Sequence, residues 1–133
     1  MTSSATTAPC VFCTLPPARV IAQNDLAVLI LDGFPVSPGH SLIIPKRHVG
    51  SFFEATTAER VALLALLDQA RAQLGAALSP DGFNIGINDG QAAGQTVPHL
   101  HLHLIPRYRG DLQDPRGGVR WVIPGKADYW SLR

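Results

Sequence analysis

The stretch "PHLHLHLIPRY", residues 98–108, decides the fold. Histidine stands at 99, 101 and 103 and leucine at 100, 102 and 104, a strict alternation. Period two is the mark of a strand, whose successive side chains point to opposite faces. One face is then leucine and sinks into a core; the other is histidine and looks into a site. Pro98 is tolerated at the first position of such a strand, where no ladder donor is needed. The chain has five histidines in all, so three of them on one face points to chemistry. A single three-histidine metal centre fits poorly. Alternate residues lie about 6.6 Å apart and the outer two roughly 13 Å apart, whereas metal–nitrogen bonds are only about 2.0–2.1 Å long.

Working outward, "FNIGIN" (83–88) alternates as a second strand, joined to the first by the small-residue loop "DGQAAGQT" (89–96). Upstream, Thr56 and Glu59 form a capping box, and Val61, Leu64, Leu67, Ala70, Leu74 and Leu78 recur at steps of three or four. That pattern predicts a helix over 57–77, closed by the "SPDG" turn at 79–82. "RVIAQ" (19–23) and "LAVLIL" (26–31) read as paired strands turning at Asn24 and Asp25. "GFPVSPG" (33–39) is a loop delivering His40 to a further strand, "SLIIP". Beyond residue 109 the chain is turn-rich, with one short candidate strand at Val119–Ile123. One antiparallel sheet of about five strands, carrying one long helix and a short one, is the simplest solution: the class is α+β.

With 133 residues the chain has the size of one domain, and 46% apolar against 16% charged residues is enough to build one core. A net charge of +1 argues against a nucleic-acid or membrane-surface binder. No apolar run is long enough to span a bilayer, and "MTSSATTAP" (1–9) lacks the basic start and apolar block of a signal peptide. These features predict a cytoplasmic protein with a mobile tail at 1–9. Cys10 and Cys13, as "CVFC", read as a metal site, a redox pair or a chance spacing. The βαβ unit of a thioredoxin-type site is missing, which weighs against the redox pair.

"HLHLHLI" resembles the signature of the histidine-triad (HIT) family. "LDGFPVSPGHSLIIPKRH" (31–48) and "NDGQAAGQTVPHLHLHLIPRY" (88–108) are similar to that family's blocks in order and separation. The resemblance spans residues 10–109, leaving 110–133 as a C-terminal tail packing on the domain or a dimer partner. It implies a HIT-like fold, commonly a homodimer, and nucleotidyl transfer to water through a covalent intermediate on histidine. By position, His101 is the implied nucleophile. His40, or a backbone carbonyl near it, would orient its ring, and His103 would hydrogen-bond a phosphate oxygen or help the leaving group depart. Gly94, Gln95 and Thr96 would approach the phosphate by backbone, amide and hydroxyl. Asn88 matches a position near the ribose–phosphate end and Asp32 one that binds ribose hydroxyls. Val11, Phe12, Leu15 and Ile30 match positions of the base pocket, and they read equally well as core.

Some family members carry a structural zinc, and a residue stands at each implied ligand position: Cys10, Cys13, His48 and His99. The implied substrates are adenine dinucleoside polyphosphates or nucleoside phosphoramidates. "AGQTVPH" with "IPR" is similar to the first branch, and Asn88 is more like the second. Arg107, Arg109, Arg116 and Arg120 would meet a polyphosphate chain or solvate the surface, and Trp121, Tyr129 and Trp130 would pack on a partner subunit. Two other classes remain: a zinc-dependent hydrolase using an HxH pair with metal-bound water, and a nucleotide-binding protein without turnover.

Overall fold

The computed structural model describes residues 10–132, so the tail expected at 1–9 lies outside the described residues. Five strands form one antiparallel sheet in the order β1-β2-β3-β5-β4: β1 Val20–Gln23, β2 Ala27–Leu31, β3 Ser41–Pro45, β4 Gly82–Gly86 and β5 Leu102–Arg107. Asn24 makes the first turn by accepting from the amides of Leu26 and Ala27 through its side chain.

Helix α1, Thr57–Leu78, crosses between β3 and β4. Both arms of the capping box are present: Glu59 N–H donates to Thr56 Oγ1 at 3.0 Å and Thr56 N–H to Glu59 Oε1 at 2.8 Å. By length and hydropathy α1 would pass as a membrane span. It instead packs Leu63, Leu66 and Ala70 on the sheet with Leu29, Ile43, Leu102 and Leu104, and carries Glu59, Arg60, Asp68 and Arg71. The expected stripe holds in its middle, where Ala70 is buried and Leu67 and Leu74 pack on the core, and fails at its ends, where Val61, Leu64 and Leu78 are exposed. The short helices are 3-10 turns, such as Phe52–Glu54.

The opposite face of the sheet carries a second buried cluster, Ile30, Leu42 and Ile44, covered by Phe12, Leu15, Val20 and Val28. His103 pairs with Leu42 across β3–β5 and so belongs to this face. Two strand expectations fail. The ladder begins at Leu102, leaving His99 and His101 in the approach to β5, because Leu100 N–H bonds to Val49 O instead. Val119–Ile123 is not a strand; Gly117 and Gly118, both at positive φ, open a 3-10 turn over Gly118–Val122.

Candidate active site

The approach to β5 gives each histidine a different set of partners. His99 is fully buried, and its Nε2–H donates to the carbonyl of Pro45 at 2.8 Å. That bond leaves Nδ1 as the free lone pair. Nδ1 lies 3.4 Å from Cys10 Sγ, 3.5 Å from Cys13 Sγ and 3.2 Å from His48 Nδ1, and Cys13 Sγ is 3.2 Å from the same His48 nitrogen. All four ligand atoms fall within 4.8 Å of one another. A tetrahedral zinc with ordinary bond lengths sets N–N edges near ~3.3 Å and S–N edges near ~3.6 Å. The residues therefore fit a four-coordinate metal, and the Pro45 bond is the outer-shell partner such a histidine ligand needs. Burial and the Cys10 sulfur beside it raise the Cys13 thiol above its ordinary range.

His101 is 8% exposed, and its Nδ1–H donates to the carbonyl of His99 at 2.8 Å. Its Nε2 lone pair is thereby left available, with Phe12 edge-on at 5.1 Å between centroids. The orienting group is thus a backbone carbonyl and not His40.

His40 turns to His103. Val36 N–H donates to His40 Nδ1 at 3.1 Å, which places the ring proton on Nε2. From there it reaches His103 Nδ1 at 3.0 Å and Asp32 Oδ2 at 3.3 Å. Since His103 accepts at Nδ1, its own proton sits on Nε2. Burial, with the charges of His101 and His40, pushes His103 down to about 4; burial likewise lowers His40, against the pull of Asp32. Both rings are neutral at pH 7. Gly39 makes this placement possible: its φ is +87°, and a Cβ there would meet Leu78 Cδ1 at 2.7 Å. The ligand-type atoms of Asp32, His40 and His103 also lie within 4.8 Å of one another. His99 and His101 do not converge as an HxH metal pair, because each is committed to different partners.

The loop before β5 behaves differently from expectation. The Gln95 amide donates to the carbonyls of Gly50 and Val97 and its oxygen accepts from Gly90 N–H. Gln95 is a staple with no amide proton left for a phosphate. Gly94 takes φ 95° and Thr96 is exposed. Asp89, which the sequence did not single out, accepts from Ser51 Oγ and Phe52 N–H and ties this loop to the one after β3. An acidic side chain in a polar loop has no pattern that could have marked it. Phe12 and Leu15 cover Ile30, which is fully buried core, while Val11 is exposed. Asp32 spends Oδ1 on Phe34 N–H and keeps Oδ2 beside His40.

A cavity of about 620 Å³ opens beside His40, His103 and Asn88 and runs under the C-terminal segment. The four arginines there are engaged within the chain. Arg107 holds Asp111 with both ends of its fork at 2.7 Å and Asn84 Oδ1 at 2.8 Å. Arg109 pairs with Asp81 and Arg116 with Asp114, and Arg120 donates to the carbonyls of Lys126 and Ala127. Trp121 Nε1–H donates to Arg116 O, Trp130 lies under Arg116, and Tyr129 lies under Arg120.

A family model described as HIT domain matches residues 15–110. An uncharacterised HIT-like protein of Mycoplasma genitalium is 39% identical over 107 residues, covering 77% of this chain and 76% of that protein. The asymmetrical bis(5'-nucleosyl)-tetraphosphatase of Schizosaccharomyces pombe is 35% identical over 97 residues; these are 73% of this chain but only 53% of that longer protein. A crystal structure of a HIT family protein from Bacillus anthracis aligns at a TM-score of 0.72 and 34% identity, covering 80% of this chain and 78% of that one. Three histidines with separate partners, a five-stranded antiparallel sheet and these matches lead to one conclusion: the chain belongs to the HIT family.

Proposed function

We propose that the protein is a nucleotidyl hydrolase that cleaves at the α-phosphate of adenine dinucleoside polyphosphates or nucleoside phosphoramidates through a nucleotidyl-histidine on His101. The observation that carries this reading is the 2.8 Å bond from His101 Nδ1–H to the His99 carbonyl, which leaves Nε2 as a fixed lone pair. Nε2 attacks phosphorus. The bond to the leaving group breaks, its electron pair departs with that group, and the group takes a proton from water. Water then attacks the same phosphorus, the P–N bond returns its pair to Nε2, and the water's proton goes to solvent. The products are AMP and the released leaving group.

His103 supplies Nε2–H to a phosphoryl oxygen, and His40 fixes that tautomer from the other side. A neutral imidazole is a hydrogen-bond donor here and not a proton source, so His103 does not protonate the leaving group. Asp32 Oδ2 accepts from the ribose hydroxyls. Asn88, Thr96 and the Gly94 backbone line the phosphate approach, and Phe12 and Leu15, themselves seated on the fully buried Ile30, take the base. Cys10, Cys13, His48 and His99 would hold a structural zinc, which when bound supplies a closed cross-link and no open position. That cross-link would pin the segment bearing Phe12 beside His101. The free thiols suit a reducing cytoplasm, and the working unit is a homodimer.

The test is a product assay of wild type and His101→Ala on diadenosine tetraphosphate, diadenosine triphosphate and adenosine phosphoramidate, with intact mass after alkaline quench. Wild type should yield AMP and a chain carrying one nucleotidyl group. His101→Ala should lose on the order of 10³-fold or more in rate and carry no adduct. Full rates in the alanine variant would falsify the assignment.

A further inference from the structure

The ring of His101 is oriented by the carbonyl of His99, and that carbonyl belongs to the peptide joining His99 to Leu100. The peptide is planar and trans, so its C=O and N–H point opposite ways and turn together. Its C=O takes His101 Nδ1–H at 2.8 Å, and its N–H donates to Val49 O at 2.7 Å. Whatever fixes Val49 O therefore aims the His99 carbonyl. Without that aim the His101 ring is free to carry its proton on Nε2, where no lone pair is left for phosphorus.

Val49 opens the segment 49–52, which lies beyond the sheet because β3 ends at Pro45. No ladder holds this segment, and two side chains of the 89–96 loop do so instead. Asp89 Oδ2 accepts from Ser51 Oγ at 3.0 Å and from Phe52 N–H at 2.9 Å. Gln95 Nε2 donates to Gly50 O at 2.9 Å and to Val97 O at 3.1 Å. The Val97 carbonyl also receives His99 N–H at 2.8 Å. Gln95 thus joins the residue after Val49 to the stretch that enters His99. Its own Oε1 and N–H close on Gly90, one residue past Asp89, so the two anchors form one unit. From behind, Arg60 of α1 donates to Phe52 O at 3.2 Å and lies over the Phe52 ring.

We propose that Asp89 and Gln95 are positioning residues that set the tautomer of His101, acting through Val49 O and the peptide between His99 and Leu100. The consequence for rate rests on the nucleotidyl-hydrolase reading above and deepens it; the tautomer itself is independent of that reading. Both bonds to Asp89 end on one oxygen, so an amide oxygen can stand in for the carboxylate.

The experiment reads the ring directly, by long-range nitrogen–proton correlation NMR at about pH 8, above the ordinary histidine pKa. The His101 signals are assigned by their loss in His101→Ala, and rates are taken on adenosine phosphoramidate and diadenosine tetraphosphate. Wild type should show the Nδ1–H form. Asp89→Ala and Gln95→Met should show a substantial Nε2–H population and lose on the order of tenfold or more in kcat. Asp89→Asn should recover most of both. His101 remaining wholly Nδ1–H in the alanine and methionine variants would overturn the proposal, whatever their melting points. So would a changed tautomer with kcat unmoved, or an Asp89→Asn loss as deep as that of alanine. Should Asp89→Ala fail to fold, Gln95→Met and Ser51→Ala, which removes one bond of the two, give the same reading. A tautomer that shifts as expected, with no hydrolysis by wild type, would sink the hydrolase and keep the positioning unit.

Discussion

Val36 N–H on His40 Nδ1 fixes a chain of tautomers that ends at His103 Nε2–H, and burial keeps His103 neutral down to about 4. The sign follows for activity. Protonating His103 fills Nδ1 and breaks the contact from His40, so the contribution of His103 is complete near neutral pH and falls away as pH drops towards 4. A histidine Cε1–H titration by NMR should show the His103 midpoint well below the ordinary 6.5, with no rise in kcat as pH falls through 6.5. Such a rise would mean His103 acts as a protonated acid. At the same scale, Cys10→Ser exchanges one ligand atom. The purified wild type should carry about one zinc per chain, and the variant should carry less and melt lower by several degrees. Metal-free wild type with an unchanged melting point would end the zinc proposal. Residue identity made these groups visible beforehand, because CxxC, HxHxH and His48 are chemically distinctive. Which ring nitrogen faces what was not legible: the His99 carbonyl that orients His101 and the carbonyls that consume Gln95 belong to the backbone, which carries no letter in a sequence.

At the scale of elements, the start of α1 was legible because its signal is local. Thr56 and Glu59 sit three residues apart and satisfy each other's backbone donors. Its buried stripe was legible only from Leu67 to Leu74, since alanine and leucine occur on every side of the first turns and periodicity there fits Val61 and Leu64 as well as Leu63 and Leu66. The phase was set by the sheet. The onset of β5 failed similarly: alternation continues back to His99, but the pull of Cys10, Cys13 and His48 on that ring and the bond of Leu100 to Val49 take the chain out of the ladder. Glu59 adds a term in pH. Its carboxylate is buried, and the Arg47 fork with the Thr56 amide lowers it from 4.5 to about 2. A group depressed in the folded state stabilises above its unfolded pKa, so the contribution is whole above about pH 4.5 and drains away as pH falls towards 2. Arg47 is half exposed and solvent screens it, so the amount is about 2 kcal/mol and not the ~3 of the full shift. Urea unfolding at pH 7 and pH 3 should show wild type losing about 1 kcal/mol more than Glu59→Gln, a little over half of the contribution, since the rest drains below pH 3; equal losses would remove Glu59 from the account.

Across the whole molecule, strand order was the part least open to sequence reading. That β5 inserts between β3 and β4 depends on where α1 returns the chain, which no local pattern states. The order leaves β1 and β4 at the edges. β1 is short, follows Pro16 and Pro17, and its register slips between Val20 and Ala22, all devices that blunt an edge. β4 pairs with β5 in unbroken register from Gly82 to Gly86 and exposes half of Ile85. An edge so regular is self-complementary under a twofold axis, so two copies can continue one sheet through antiparallel β4 strands. Because Asn84 on the same strand holds Arg107, such pairing would also steady the roof of the cavity. Sedimentation at tens of micromolar should give twice the mass of one chain. Ile85→Lys, which places a charge on that edge, should shift it to one chain with an intact circular dichroism spectrum. A monomeric wild type, or a variant that stays paired, would place the interface elsewhere or nowhere.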